Sequence, residues 1–269
     1  MRVRATIAYD GTEYCGWQVQ PNGISVQEVV NEKLSDLLQE EISCVGASRT
    51  DAGVHSLCNE ILFETGTRIP ADKIAYALNQ RLPEDIVCQG SAQAAEDFHP
   101  RFSASYKTYE YRILNRRFPL PTKRRDSLFY HYDLDEEKMQ EAAAFLLGEH
   151  DFSSFSSIHA QSKTRTRTIY QALVTRDGDD LITIRLCGNG FLYNMVRIIA
   201  GTLIEVGAGT TSPGEFRQIL EGRDRDLAGP TAPAKGLTQV GLHYLTKEEM
   251  ARRDRGGEWP FLIDRDEPL

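Results

Sequence analysis

The chain has 269 residues, 41% of them hydrophobic and 26% charged, a balance ordinary for a globular protein that buries one large core or two smaller ones. Its longest apolar segment, Phe191 to Val206, is shorter than the roughly 20 residues a membrane span needs and is interrupted by Asn194 and Arg197, which excludes a transmembrane helix. The net charge of -8, taken as a sum, argues against a nucleic-acid partner, because phosphate binding is driven by positive potential.

In chain order, the start MRVRATIAYDGTEY runs directly into strand-like alternation, Val3 to Tyr9, without an apolar signal core or a cleavage site. A cytosolic protein is the expectation. A helix follows, opened by the capping-box pair Ser25 and Glu28 and carrying Val26, Val29, Val30, Leu34, Leu37 and Leu38 on one face. ISCVGAS and LCNEILFE read as strands on either side of the loop GASRTDAGVHS. Ala71 to Arg81, after Pro70, reads as a helix and DIVCQGS as a strand, so the first half has the order βαββαβ.

The second half repeats that order. Tyr106 to Leu114 alternates as a strand, and Asp135 to Leu147 is a helix ended by Gly148. A hairpin, Thr168 to Thr175 and Leu181 to Cys187, turns at DGDD. Phe191 to Val206 is helical, and Gln239 to Leu245 closes as a strand. The expected class is α+β, with two ferredoxin-like βαββαβ halves joined into a mixed, mainly antiparallel sheet with a central cleft. Residues 1–104 would form the first half, 105–246 the second, and 247–269 a charged tail in which Trp259, Pro260 and Phe261 could be ordered.

Charge is unevenly spread. Between His99 and Arg125 eight Lys or Arg face the single acid Glu110, and Lys163, Arg165, Arg167 and Arg176 lie in an acid-free stretch. A solvated surface explains most charge runs, but Tyr106, Tyr109 and Tyr111 interleave with this one, as in nucleic-acid interfaces. The five cysteines show no C-x-x-C pairing and read as reduced, buried thiols. His55, His99, His131, His150, His159 and His243 show no metal-ligand spacing, so no metal is expected.

Within GASRTDAGVHS, Asp51 ahead of Ala52 and Gly53 is an ordinary turn former. Arg49, two residues earlier, can pair with it and keep it ionised, as a nucleophile or base requires. Spacing alone does not separate that from a plain ion pair. The loop resembles the signature of the tRNA pseudouridine synthase A family. So do YDGTEYCGWQVQ with SVQEVVNEKL, FHPRFSASYKTYEYRILN, GNGFLYNMVRIIAGTLIEVG and AKGLTQVGLHY, which extend the likeness along nearly the whole chain.

The resemblance implies a cofactor-free isomerase that turns uridine into pseudouridine at positions thirty-eight to forty of the tRNA anticodon arm, and a homodimer that holds tRNA across both subunits. It makes Asp51 the catalytic aspartate, Arg49 its partner and Tyr109 the residue stacked on the target base, with Arg197 and Leu237 lining the pocket. The chemistry agrees. A carboxylate attacks C1′ or removes the C2′ proton, and an aromatic ring steadies the detached uracil. Residues Lys123, Arg124, Arg125, Lys163, Arg165 and Arg167 are expected to face RNA.

Four positions depart from the family pattern: Ser48 stands where Gly is usual, and Cys58, Asn59 and Glu60 stand where Gly-Gln-Val is usual. They raise the alternative of a paralogue with a shifted uridine target. A noncatalytic RNA-binding module is a further alternative, one with no need for Asp51. A dinucleotide loop at GNGFLY fails because Tyr193 holds the third glycine position. The acids Asp177, Asp179 and Asp180 fit a solvated turn better than a glycosidase or nuclease site.

Overall fold

The computed structural model describes residues 1–157, 162–178 and 180–254; His159, Asp179 and the Trp259, Pro260, Phe261 group lie outside them. Ten strands and six α-helices form among the described residues, an α+β protein as expected. They divide into two compact units, Met1–Ser103 with Leu237–Leu242, and Ala104–Gly236 with the chain from His243 on. No helix among the described residues is long and apolar enough to cross a membrane.

In the first unit, β1 (Arg2–Tyr9) lies between β3 (His55–Glu64) and β4 (Ile86–Gln93), antiparallel to both. Its alternation turns Val3, Ala5, Ile7 and Tyr9 inward. Helix α1 (Val26–Leu38) buries Val26, Val30, Leu34 and Leu38 in the same core, each such side chain contributing about 2 kcal/mol. Its capping box is formed: Glu28 N–H donates to Ser25 Oγ (3.2 Å) and Ser25 N–H to the Glu28 carboxylate (3.3 Å). Ser25→Ala is expected to cost about 1 kcal/mol, read as a lower denaturant midpoint with an unchanged slope.

Two expected elements are shorter than their patterns. Only Val45–Gly46 (β2) of ISCVGAS pairs as a strand, antiparallel to β3. Side chains of α1 satisfy the preceding backbone instead: Asn31 accepts from Cys44 N–H, Gln27 donates to the Cys44 carbonyl, and Ser35 accepts from Ile42 N–H. The other part of that β3 edge is taken by β10 (Leu237–Tyr244), which pairs parallel to it at Thr238↔His55 and Gln239↔Ser56. The segment 71–81 is a 3-10 turn, Ala71–Lys73, followed by a short helix α2 (Ile74–Leu78). It stops because the Asn79 side chain is bound to both backbone groups of Cys88 in β4.

In the second unit, β5 (Ser105–Asn115) pairs antiparallel with β9 (Leu181–Gly188), which pairs with β8 (Thr166–Asp177), which pairs with β7 (Gly148–Asp151). A short strand β6 (Leu128–Tyr130) runs parallel to β5. Helix α3 (Glu136–Ala144) packs on β8, α4 (Met195–Gly207) and α5 (Pro213–Gly222), and α6 (Lys247–Asp254) follows β10. Apart from Arg197 and Glu205, every residue of α4 is buried. It starts later than the apolar run suggests because Asn194 takes a left-handed conformation, φ 62°. Strands β6 and β7 and helix α5 were not expected. Yet α5 carries the local signals of one, a Ser212–Glu215 capping box with proline in its first turn.

Candidate active site

The first unit carries the loop between β2 and β3, tied down at both flanks. On entry, Ala47 N–H donates to the Glu60 carbonyl (2.8 Å). Asn59, wholly buried, grips Ser48: its Oδ1 accepts from Ser48 N–H (3.0 Å) and its Nδ2 donates to the Ser48 carbonyl (3.1 Å). The loop then docks on the segment after β1. Trp17 N–H donates to the Thr50 carbonyl (3.1 Å), Gly53 N–H donates to the Tyr14 carbonyl (3.3 Å), and the Tyr9 and Thr50 hydroxyls share a bond of 2.8 Å. Burial pushes the Tyr9 phenol above its ordinary range, so it stays a neutral partner.

Val54 N–H closes a turn on the Asp51 carbonyl (3.1 Å), with Gly53 at φ 77°. On leaving, His55 places Nδ1 3.1 Å from both the Gly11 nitrogen and Asp10 Oδ1. The approach there is so close that a Cβ on Gly11 would lie 2.0 Å from the Val54 carbonyl oxygen. Backbone fixed on both sides of Asp51 holds its Cα still, while the residue itself is half-buried and so open to a reacting partner.

Arg49 stands on the exposed side of the loop. Its neighbours Ser48 and Thr50 are buried, and Arg49 between them is exposed. Leu237 opens β10 in this same unit and is buried. The family departures Ser48 and Asn59 both belong to the polar contacts that hold the loop. Glu60 bonds Thr6 Oγ1 (2.8 Å), and burial raises its pKa.

Tyr109 and Arg197 belong to the second unit. Tyr109 lies opposite Leu186 across the β5–β9 pair and is 8% exposed, with its ring set edge-on to Phe191 at 5.0 Å. Arg197 Nε donates to the Ala232 carbonyl (2.7 Å) and Nη1 to Asn194 Oδ1 (3.0 Å). The small residues on its helix face admit the segment 229–232: a Cβ on Gly201 would lie 1.8 Å from the Pro230 carbonyl oxygen. Tyr111 donates its hydroxyl to Pro233 (2.8 Å); burial raises its pKa, and Arg197 opposes the shift.

The basic residues divide. Arg124, Arg125 and Lys163 are exposed. Lys123 pairs with Asp126 (3.1 Å), Arg165 binds Ser156 and the Ser157 carbonyl, and Arg167 donates to the Thr164 and Thr166 carbonyls. Burial lowers the Arg167 pKa. Arg176 is held by Glu136 (2.9 Å), Asn115 and the Leu134 carbonyl. All five cysteines are free, and burial pushes the thiols of Cys44 and Cys58 up to about 12. Among the described residues no group of three or more His, Cys, Asp or Glu could hold a metal ion.

Sequence reasoning missed the residues that hold the loop: Tyr9, Thr50, Asn59 and Gln239. Gln239 left one local sign, a polar residue in the strand LTQVGLHY at a position that is wholly buried.

The tRNA pseudouridine synthase family matches residues 5–103 and 142–244. Asp51 and Arg197 fall within the match; Tyr109 and Lys123 to Arg125 lie between its two segments. The chain is 45% identical to the tRNA pseudouridine synthase A of Thermoanaerobacter sp. (strain X514) over 242 residues, covering 90% of this chain and 99% of the relative. It is 46% identical to those of Ruminiclostridium cellulolyticum, over 243 residues, and Acetivibrio thermocellus, over 242, with the same two coverages. An enzyme of this kind isomerises uridine to pseudouridine in tRNA. The chain belongs to the tRNA pseudouridine synthase A family.

Proposed function

We propose that Asp51 supplies the reactive carboxylate, that Tyr109 stacks on the target uracil, and that the targets are the uridines at positions thirty-eight, thirty-nine and forty of the tRNA anticodon arm. The observation that carries this reading is the half-buried Asp51 on a loop whose flanks are hydrogen-bonded on both sides. Isomerisation breaks the bond from N1 to C1′, turns the uracil, joins C5 to C1′ and releases the C5 proton. Asp51 acts at the first step, by attack on C1′ or removal of the C2′ proton. Tyr109 has the ring to hold the freed base, and its phenol oxygen can take up the C5 proton as it passes its own O–H proton on to water. Arg197 and Leu237 are assigned to the pocket, and Arg49 is the partner that keeps the carboxylate ionised.

A base leaves its stack at a cost of a few kcal/mol, which phosphate contacts offset. Of the six basic residues proposed for RNA, the exposed Arg124, Arg125 and Lys163 should carry most of that attraction. Reversing these three charges is expected to weaken tRNA binding at least about tenfold and to reduce the slope of log affinity against log salt by roughly two. An unchanged slope would remove them from the RNA surface. The working form is a cytosolic homodimer, a mass that sedimentation reads directly.

Target choice is tested by mapping pseudouridine in tRNAs that carry uridine at only one of the three positions. Modification at each supports the reading. Modification elsewhere would point to a shifted target, consistent with the departures at Ser48 and Asn59.

A further inference from the structure

The bonds around the loop converge on a residue far away in sequence. Gln239 lies in the part of β10 that pairs parallel to β3, inside the first unit, and its side chain is wholly buried. Its Nε2 donates to Ser48 Oγ (3.0 Å) and its Oε1 accepts from Ser56 Oγ (3.3 Å). Ser48 precedes the Asp51 loop and Ser56 follows it, so one planar amide spans the loop's two ends. Both hydroxyls are buried as well, Ser48 at 3% and Ser56 at 0% exposure, so neither has water as a substitute partner.

Further bonds tie in the same residues. Ser56 Oγ accepts from Cys58 N–H (3.2 Å), and Asn59 holds the Ser48 backbone. Such a buried network favours one arrangement, because breaking either Gln239 bond leaves a buried polar group without that partner. We infer that Gln239 is a positioning residue for the reaction: it staples the ends of the Asp51 loop through Ser48 and Ser56 and so sets where the carboxylate stands. The inference rests on the assignment of Asp51 as the reactive carboxylate. It gives Ser48 a role as the anchor of the staple, since a glycine there would offer no hydroxyl.

A positioning role predicts loss in the chemical step without loss of tRNA binding. Gln239→Leu keeps the volume and removes both bonds. Its kcat for tritium release from C5-labelled uridine in tRNA should fall about 10-fold to 100-fold while KM stays within about twofold. Amide hydrogen exchange should accelerate across 47–55 and stay unchanged in β1. Ser48→Ala and Ser56→Ala each remove one arm with minimal volume change. They should show the same pattern at about 3-fold to 10-fold in kcat, and they carry the test if Gln239→Leu does not fold.

A folded Gln239→Leu with wild-type kcat would overturn the inference, as would a rise in KM alone, or unaltered kcat in both serine variants. Asp51→Asn, run alongside, separates the two failures. If Asp51→Asn is inactive and the staple variants are normal, only the staple fails. If Asp51→Asn is fully active, the assignment of Asp51 fails first.

Discussion

Asp51→Asn is expected to unfold at the wild-type temperature, within about 2 °C, and to form pseudouridine on the order of 10³-fold more slowly or worse. The two side chains have nearly the same shape, so the change removes the charge and keeps the volume. The contacts that hold the loop run through backbone groups and through Ser48, Thr50 and Asn59, all kept in the variant. Breaking the N1 to C1′ bond, in contrast, needs an anion that attacks carbon or accepts a proton, and a neutral amide does neither. Thermal unfolding and pseudouridine content, measured on one preparation, check both halves. A large drop in unfolding temperature would make the carboxylate a structural group.

Gly11→Ala is expected to cost about 3 kcal/mol of stability and at least about tenfold in kcat. Its Cβ would lie 2.0 Å from the Val54 oxygen and 2.7 Å from the Val54 carbonyl carbon. Both are backbone atoms, so no side chain can swing aside; the loop three residues beyond Asp51 must itself move. The same shift would pull the Gly11 nitrogen from His55 Nδ1. Gly90→Ala in β4 is the control, since nothing lies within 4 Å of its Cβ position. Denaturant unfolding of the two variants should separate them clearly. Equal midpoints would mean that the contact between the segment 10–11 and the loop does not hold the site.

What was legible in the residues was what is decided locally. The capping box at Ser25 and the spacing of Val26, Val30 and Leu34 define α1 without reference to anything distant, and the structure contains it. Strand β2 was overestimated because Gln27, Asn31 and Ser35 of that helix take the hydrogen bonds a neighbouring strand would have taken. Gly201, four residues after Arg197 in the same helix, leaves room for a close neighbour. Which segment fills it, 229–232, depends on the path of the chain.

In the site, the motif singled out Asp51, but its supports were hidden. Gln239 reaches Ser48 across 191 positions of sequence, and no periodicity reports such a bond. The exposure of Arg49 has a local reason. Ser48 and Thr50 face the interior where their hydroxyls find partners, and Arg49 between them is exposed.

The most direct test of the central claim, that the Asp51 carboxylate starts the isomerisation, is single-turnover tritium release from C5-labelled uridine in tRNA with enzyme in excess. Wild type should release the label from bound tRNA, and Asp51→Asn should bind the same tRNA and release essentially none. Release by Asp51→Asn at the wild-type rate would contradict the account.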